Sequence, residues 1–408
     1  MPRLWLINQF ANTPNLPGHT RQYEVAAGLV KSGWKVQVFA SDFNLTQRRY
    51  RRLCFPRIWA TENPEGILWN WLWVSPYHKN NWKRQLNMLS FCCHLVIRLL
   101  PSALLGRLVS KAPDVIVASS PQLPAAFTCL LIARLNNIRF VLEVRDLWPQ
   151  VLIDQGGKRA NSLLVRLLTW MERELYRHSD WVVLLAKGAE KYVQERGAKK
   201  TTWLPNGPDL ELFSMQPLPK DEQPFTIIYA GAHGEANALG NVISAARLLE
   251  KQQKYIRFRL IGDGPEKESL VKQSYGLKSV SFEDPVPKAS IPIIMAEADA
   301  ILITLRDAPL FRYGVSPNKL YDAYALGRPV ITTVAGVVNA EVEEHGLGFT
   351  ANPEEPMELA KAILKLASTP RQEREAMADR SVKLAHSTYS RQRINTEYNN
   401  LLRKVVAQ

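Results

Sequence analysis

One pattern occurs twice in this chain, and it decides the class of fold. Leu4-Trp-Leu-Ile7 is a short apolar run. A polar loop from Asn8 to Thr20 follows, carrying Gly18 and His19. Arg21 to Ser32 then places Val25, Ala26, Leu29 and Val30 at helical spacing. Gly33 closes that helix, and Trp34-Lys-Val-Gln-Val-Phe39 opens a second strand. In the second half of the chain Phe225-Thr-Ile-Ile-Tyr229 leads through Ala230-Gly-Ala-His-Gly234 into a helix reaching Gln252. Strand, glycine-bearing loop with one histidine, helix: each copy is a βα unit, and such units need a parallel sheet covered by helices. At 408 residues, against a prior of roughly 150 per domain, two copies predict two doubly wound α/β domains in tandem, facing each other across a cleft.

The rest of the chain divides around these units. Strands at 114–118, 140–144, 181–185 and 201–204, with helices between them, complete a first domain over residues 1–205. Residues 206–224 carry Pro208, Pro217, Pro219 and Pro224 among mixed charges and read as a linker. A second domain spans 225–385, and 386–408 is a basic amphipathic helix expected to pack back toward the first domain. The four cysteines have no metal-ligand spacing, which fits reduced thiols in a cytoplasmic protein. Met1 leads directly into a strand, so a secretory leader is not expected.

Ligands of open parallel sheets gather at the carboxyl ends of the strands, and several stretches there carry the right chemistry. The most informative is Val315-Ser-Pro-Asn-Lys-Leu-Tyr-Asp322, which precedes Gly327 and the β-branched run Pro329 to Thr333. Pro317 can open a helix, because its missing N–H would be unbonded there anyway. Ser316, Asn318 and Lys319 then sit where backbone N–H groups and the helix dipole favour an anion. Asp322 follows one turn later, placed for hydroxyls. The combination suggests a nucleotide-diphosphate site. Gly231, His233 and Asn237 after the first strand of the second domain, and Gly262-Asp263-Gly264 after the next, are further candidates. In the first domain Gly18, His19, Arg145 and Asp146 occupy equivalent edges. Each has a plainer reading: a flexible turn at Gly18, a polar loop residue at His19 or His233, a helix cap at Asp263, and a structural ion pair for Arg145 and Asp146. A solvated surface role is the plainer reading for Lys319 and Asp322.

Residues 44–111 break the α/β rhythm. The net charge of +14 is concentrated there, since 47–111 holds eleven Lys/Arg against two acids. Arg48, Arg49, Arg51 and Arg52 form a cluster, and Trp69, Trp71 and Trp73 follow. Leu86 to Leu108 is strongly apolar but interrupted by His94, Arg98 and Arg107. Basic residues, tryptophans and such a helix together suit an anionic membrane surface; an inserted core helix with a solvated basic face is the alternative. No nucleic-acid recognition motif accompanies the charge, so nucleic acid is not expected as a partner.

Two α/β domains with Pro205-Asn-Gly between them, and Ser316-Pro-Asn-Lys-Leu-Tyr-Asp322 with Gly327-Arg-Pro-Val330 in the second, resemble the GT-B glycosyltransferases of family 4 over essentially the whole chain. Arg145-Asp-Leu-Trp-Pro149, Tyr229-Ala-Gly-Ala-His-Gly234 and Gly262-Asp-Gly-Pro265 resemble a subgroup that adds aminosugars of the N-acetyl-L-fucosamine type in bacterial surface-polysaccharide synthesis. The resemblance implies retaining transfer from a UDP-linked nucleotide-sugar to a polyprenyl-diphosphate-linked saccharide, peripherally on the inner membrane face, with no metal or cofactor. It implies donor binding by Gly18, Gly262 to Gly264, Asn318, Lys319 and Asp322, and a catalytic site at Arg145, Asp146 and Lys319. Asp322 matches the second acid of the family's Glu-x7-Glu motif. Gly314 stands where the first acid would be, Asn237-Ala-Leu-Gly240 lacks the usual phosphate-binding lysine, and Arg145 replaces a histidine. A non-hydrolysing nucleotide-sugar 2-epimerase and a catalytically silent nucleotide-sugar binding partner are the alternatives.

Overall fold

The computed structural model describes all residues except 16–19, 45–46, 79–80, 109–111, 155–156, 158 and 222–223, and omits the side chains of 106–108. It comprises two units, Met1–Leu204 with Ile394–Gln408, and Pro205–Arg393.

The first unit runs β1 (Arg3–Ile7), α1 (Arg21–Lys31), β2 (Lys35–Ser41), β3 (Trp59–Glu62), β4 (Leu68–Leu72), α2 (Trp82–Leu108), β5 (Val115–Ser119), α3 (Leu123–Leu135), β6 (Arg139–Val144), α4 (Gln150–Asp154), α5 (Leu163–His178), β7 (Trp181–Leu184), α6 (Glu190–Glu195) and β8 (Thr201–Trp203). Its eight-stranded sheet has the order β3-β4-β2-β1-β5-β6-β7-β8. All pairs are parallel except β3 with β4. β1 and β5 are apolar on both faces, as strands covered by helices on each side must be. From β1 the sheet grows one way through α1 to β2, and from β5 the other way through α3 and α5. Right-handed crossovers therefore place α1 on one face and α2, α3 and α5 on the opposite face.

The second unit runs β9 (Phe225–Ala230), α7 (Leu239–Lys251), β10 (Ile256–Ile261), α8 (Lys267–Gln273), β11 (Val280–Glu283), α9 (Ile291–Ala296), β12 (Ala300–Thr304), α10 (Asn318–Ala325), β13 (Val330–Thr333), α11 (Val337–Glu344), β14 (Gly348–Thr350), α12 (Pro356–Ala367) and α13 (Arg371–Ser387). Its parallel sheet has the order β11-β10-β9-β12-β13-β14, so strand order reverses between β9 and β12. After α13 the chain forms α14 (Arg391–Val406), most of which belongs to the first unit. There Ile394, Tyr398, Leu402 and Val405 enter the same core as Leu4, Leu29 and Val38. Gly28 on α1 permits this approach, because a Cβ there would lie 2.3 Å from the Asn395 amide.

Two expectations need correction. Residues 206–224 are not a loose linker where described. Buried Arg328 donates to the carbonyls of Gln216 and Pro217, both at 2.8 Å, and Phe213 is 1% exposed. Arg371 donates to the carbonyl of Pro219 at 2.7 Å. The prolines remove donors from this strap, and arginines satisfy its carbonyls. The insertion at 44–111 is also partly sheet. Trp69 and Trp71 lie on β4, at 0% and 1% exposed, and are core residues rather than surface anchors.

Candidate active site

The strand order of the second unit reverses between β9 and β12, and ligands of parallel sheets gather at the carboxyl ends of the strands at such a point. Two loops frame it. The loop after β9 carries Gly231 and His233, and the loop after β10 carries Gly262 to Gly264. They interlock through the backbone: Gly231 N–H donates to the Ile261 carbonyl at 2.9 Å, and His233 N–H to the Asp263 carbonyl at 2.9 Å. Only glycine fits at the crossing. A Cβ on Gly262, whose φ is +142°, would sit 1.9 Å from the Gly231 carbonyl oxygen, and one on Gly264 would sit 2.4 Å from that of His233.

Lys319, in the first turn of α10, reaches back over β9. Its Nζ lies 3.9 Å from the centre of the Tyr229 ring and 2.9 Å from where a Cβ on Gly231 would be. No carboxylate lies within ion-pair distance of it among the described residues. Burial without a counter-charge pulls its ammonium down to about 7. His233 is 0% exposed, and neither ring nitrogen has a hydrogen-bond partner. Burial, with the nearby Lys267 and Lys319 charges, holds it below its ordinary value and hence neutral. Buried polar groups normally find partners. Among the described residues, an amine without an acid and an imidazole without a partner leave this corner able to take up something negative and hydrogen-bonding.

The start of α10 is held rigidly. Asn206 donates its backbone N–H to Ser316 Oγ at 2.8 Å and its side-chain amide to the Ser316 carbonyl at 2.9 Å. The Tyr321 hydroxyl also donates to Ser316 Oγ, at 3.1 Å, and the Tyr321 ring stacks on Tyr389 at 4.3 Å. Ser316 is thus committed to holding the loop. Asn318 is exposed and Asp322 half-buried, one turn further along the helix. Asp263 is exposed, and its carboxylate accepts from the adjacent Gly264 N–H at 2.8 Å; it does not cap α8, whose N-cap is Glu266 with no side-chain cap. Asn237 lies in the short turn before α7.

Arg145 and Asp146 belong to the first unit, apart from Lys319, at the carboxyl end of β6. Arg145 donates to Gln22 Oε1 at 3.2 Å, and its backbone N–H to Ser120 Oγ at 2.9 Å. Beneath it lies a cluster that the motifs did not single out. Buried Glu143 accepts from Arg21 at 3.0 Å, Gln22 at 2.9 Å, Ser119 at 3.0 Å and the Tyr398 hydroxyl at 3.4 Å. The signal was present: a charge inside the apolar run Phe140 to Val144 requires a buried partner. Gly18 and His19 lie outside the described residues.

The basic cluster is divided. Arg52 pairs with Glu62 at 2.5 Å and Asp42 at 3.5 Å and stacks 4.2 Å over the Trp71 ring, so it is structural. Arg48, Arg49 and Arg51 are exposed, and Trp73 is half-buried, stacked on Tyr50 at 6.3 Å.

Known proteins resemble this chain in sequence and in fold. Residues 18–207 match the model of the glycosyl transferase 4-like domain, and 224–369 that of glycosyl transferases group 1. The chain belongs to the glycosyltransferases built from that pair of domains, with the GT-B fold. It is 24% identical over 276 residues to the probable glycosyltransferase WbjE of Pseudomonas aeruginosa, covering 63% of this chain and 67% of that one. It is 25% identical over 296 residues to the putative colanic acid biosynthesis glycosyl transferase WcaI of Escherichia coli, covering 67% and 70%. Anabaena Alr3699/HepE, solved in complex with UDP, superposes with a TM-score of 0.70 over 99% of this chain and 100% of that one, at 17% identity.

Proposed function

We propose that this glycosyltransferase is a retaining, metal-independent enzyme. It moves a sugar from a UDP-linked donor to a lipid-linked saccharide at the cytoplasmic face of a membrane, in the synthesis of a surface polysaccharide. The observation that carries the donor reading is Lys319, a cation without an acid, lying against Gly231 at the start of α10. Breaking the bond between sugar and diphosphate leaves negative charge on the departing oxygens. A fixed cation and helix-terminal N–H groups in a partly dry site stabilise that charge most as it develops. Asp322 would accept from the ribose hydroxyls. Arg145 cannot serve as a base, since its guanidinium keeps its proton, but it can hold an anionic group. Similarity to the glycosyltransferase WbjE supports the reaction class, similarity to the colanic acid transferase WcaI the polysaccharide setting, and the UDP complex of HepE the donor nucleotide.

UDP at about a hundred times its dissociation constant should stabilise the protein by about 2.7 kcal/mol, and Asp322→Ala should abolish the shift in melting temperature. A wild-type protein that no nucleotide stabilises would overturn the donor site. A donor panel with a polyprenyl-linked acceptor extract, read by mass spectrometry, tests transfer. A donor returned with its C2 configuration inverted would make the enzyme an epimerase.

A further inference from the structure

Helix α2 is apolar on two opposite sides. One side carries Phe91, Leu95, Leu99 and Ala103, all 0% exposed, and pins the helix to the first unit. The other carries Trp82, Leu86, Leu89, Val96, Ile97 and Leu104, each between 42% and 63% exposed. With exposed Cys93 and half-buried Leu100 filling the two longer gaps, they recur every three or four residues and form one stripe along the helix. At 27 residues, and ~1.5 Å per residue, the helix is about 40 Å long, and the stripe from Trp82 to Leu104 covers about 33 Å of it. By length and composition the helix could cross a membrane, yet only 33% of its most apolar window is buried.

Its neighbours extend the same character. The crossover argument puts α3 and α5 on the same face of the sheet, and the Phe127 and Trp170 rings join them at 5.2 Å. Leu131 and Leu135 of α3, and Leu163, Leu167 and Trp170 of α5, are 49% exposed or more. The polar residues among them are mainly arginines: Arg134, Arg166, Arg173 and Arg177 are all exposed. Helix α2 itself has no acid; its Lys83 is exposed, Arg84 is half-buried, and Arg98 stacks 3.7 Å over the Trp59 ring.

We infer that the α2–α3–α5 face of the first unit is embedded in an anionic bilayer, with α2 lying in the plane of the interface. A helix fixed laterally to a sheet cannot span, so its outer stripe meets acyl chains side-on. The charge pattern selects this occupant. Pairing the face with a second copy would bring two acid-free cationic helices together, whereas anionic headgroups neutralise them. Of the segment expected to meet a membrane, α2 supplies the exposed apolar surface and α5 adds to it, while Trp69 and Trp71 are buried. The membrane setting rests on the proposed lipid-linked acceptor, but the test needs no sugar, so either can fail without the other.

The full chain would be floated with vesicles of phosphatidylcholine containing a third phosphatidylglycerol, at 0.1 M and 1 M NaCl. Co-flotation is expected at both salt concentrations, because apolar insertion is not screened. Leu89→Gln, Ile97→Gln and Leu104→Gln together should lower vesicle affinity at least about tenfold. Leu163→Gln with Leu167→Gln should lower it less. The melting temperatures of both variants should match wild type, since the changed side chains face outward. Wild-type protein that does not float, that is released by 1 M salt, or that floats equally well with the triple change overturns the inference. So does a solution dimer that the triple change dissociates while vesicle binding is absent.

Discussion

The two units place the same part of the same fold in opposite states. At the carboxyl edge of the first sheet, Glu143 is ringed by Arg21, Gln22, Ser119 and Tyr398, so each charge meets its complement. At the carboxyl edge of the second, among the described residues, Lys319 has no acid and His233 has no partner for either nitrogen. A closed network contributes to stability, while an open one leaves interactions unmade until a ligand supplies them. The difference separates a frame from a site within one architecture.

The sharpest way to break the comparison is at Glu143. Glu143→Ala strands the buried Arg21 guanidinium and should cost about 3–5 kcal/mol of stability, read by denaturant titration. Arg21 and Arg145 hold the Glu143 carboxyl below its usual range despite burial. Its contribution is therefore present at neutral pH and lost as pH falls through the lowered value. A loss under about 1 kcal/mol would mean the network is not a frame.

Lys319 should behave in the opposite sense. Lys319→Met should weaken UDP binding at least about tenfold without lowering the melting temperature of the free protein. In the free protein this lysine loses its proton above about 7, whereas a bound diphosphate would keep it charged. Nucleotide binding then takes up a proton, and affinity should fall as pH rises from 7 toward 9, by up to about tenfold per unit. Calorimetry in buffers of different ionisation enthalpy measures that uptake, and a flat profile that persists in Lys319→Met would remove the lysine from the site. The smallest effect belongs to His233→Phe. Removing two unsatisfied nitrogens should leave stability unchanged or raise it by about 1 kcal/mol while weakening nucleotide binding. A clear loss of stability would show that the imidazole is structural.

What the sequence made legible follows from how local each signal is. Pro317, Asn318, Lys319 and Asp322 share one turn and its continuation, so helix-start chemistry alone brought them together. Asn206 could not be read in the same way, because its partner Ser316 is 110 positions away. Glu143 carried a signal, but its partners come from three other segments, and only the fold assembles them. Trp69 and Trp71 were misread because a basic, tryptophan-rich run looks like a surface. Their spacing of two was the mark of a strand, and β4 buries both.

Helix α14 gives the molecule an order in time. The ribosome delivers the first 204 residues of the first unit well before Ile394–Gln408, yet Tyr398 belongs to that unit's core and to its Glu143 network. The second unit is continuous along the chain and can close as soon as it emerges. During synthesis the half that starts first is therefore finished last, and until then it waits with Glu143 one donor short and a groove open along α1. A nascent chain stalled before residue 394 would carry a complete second unit joined to an incomplete first one, with that seam exposed to quality control.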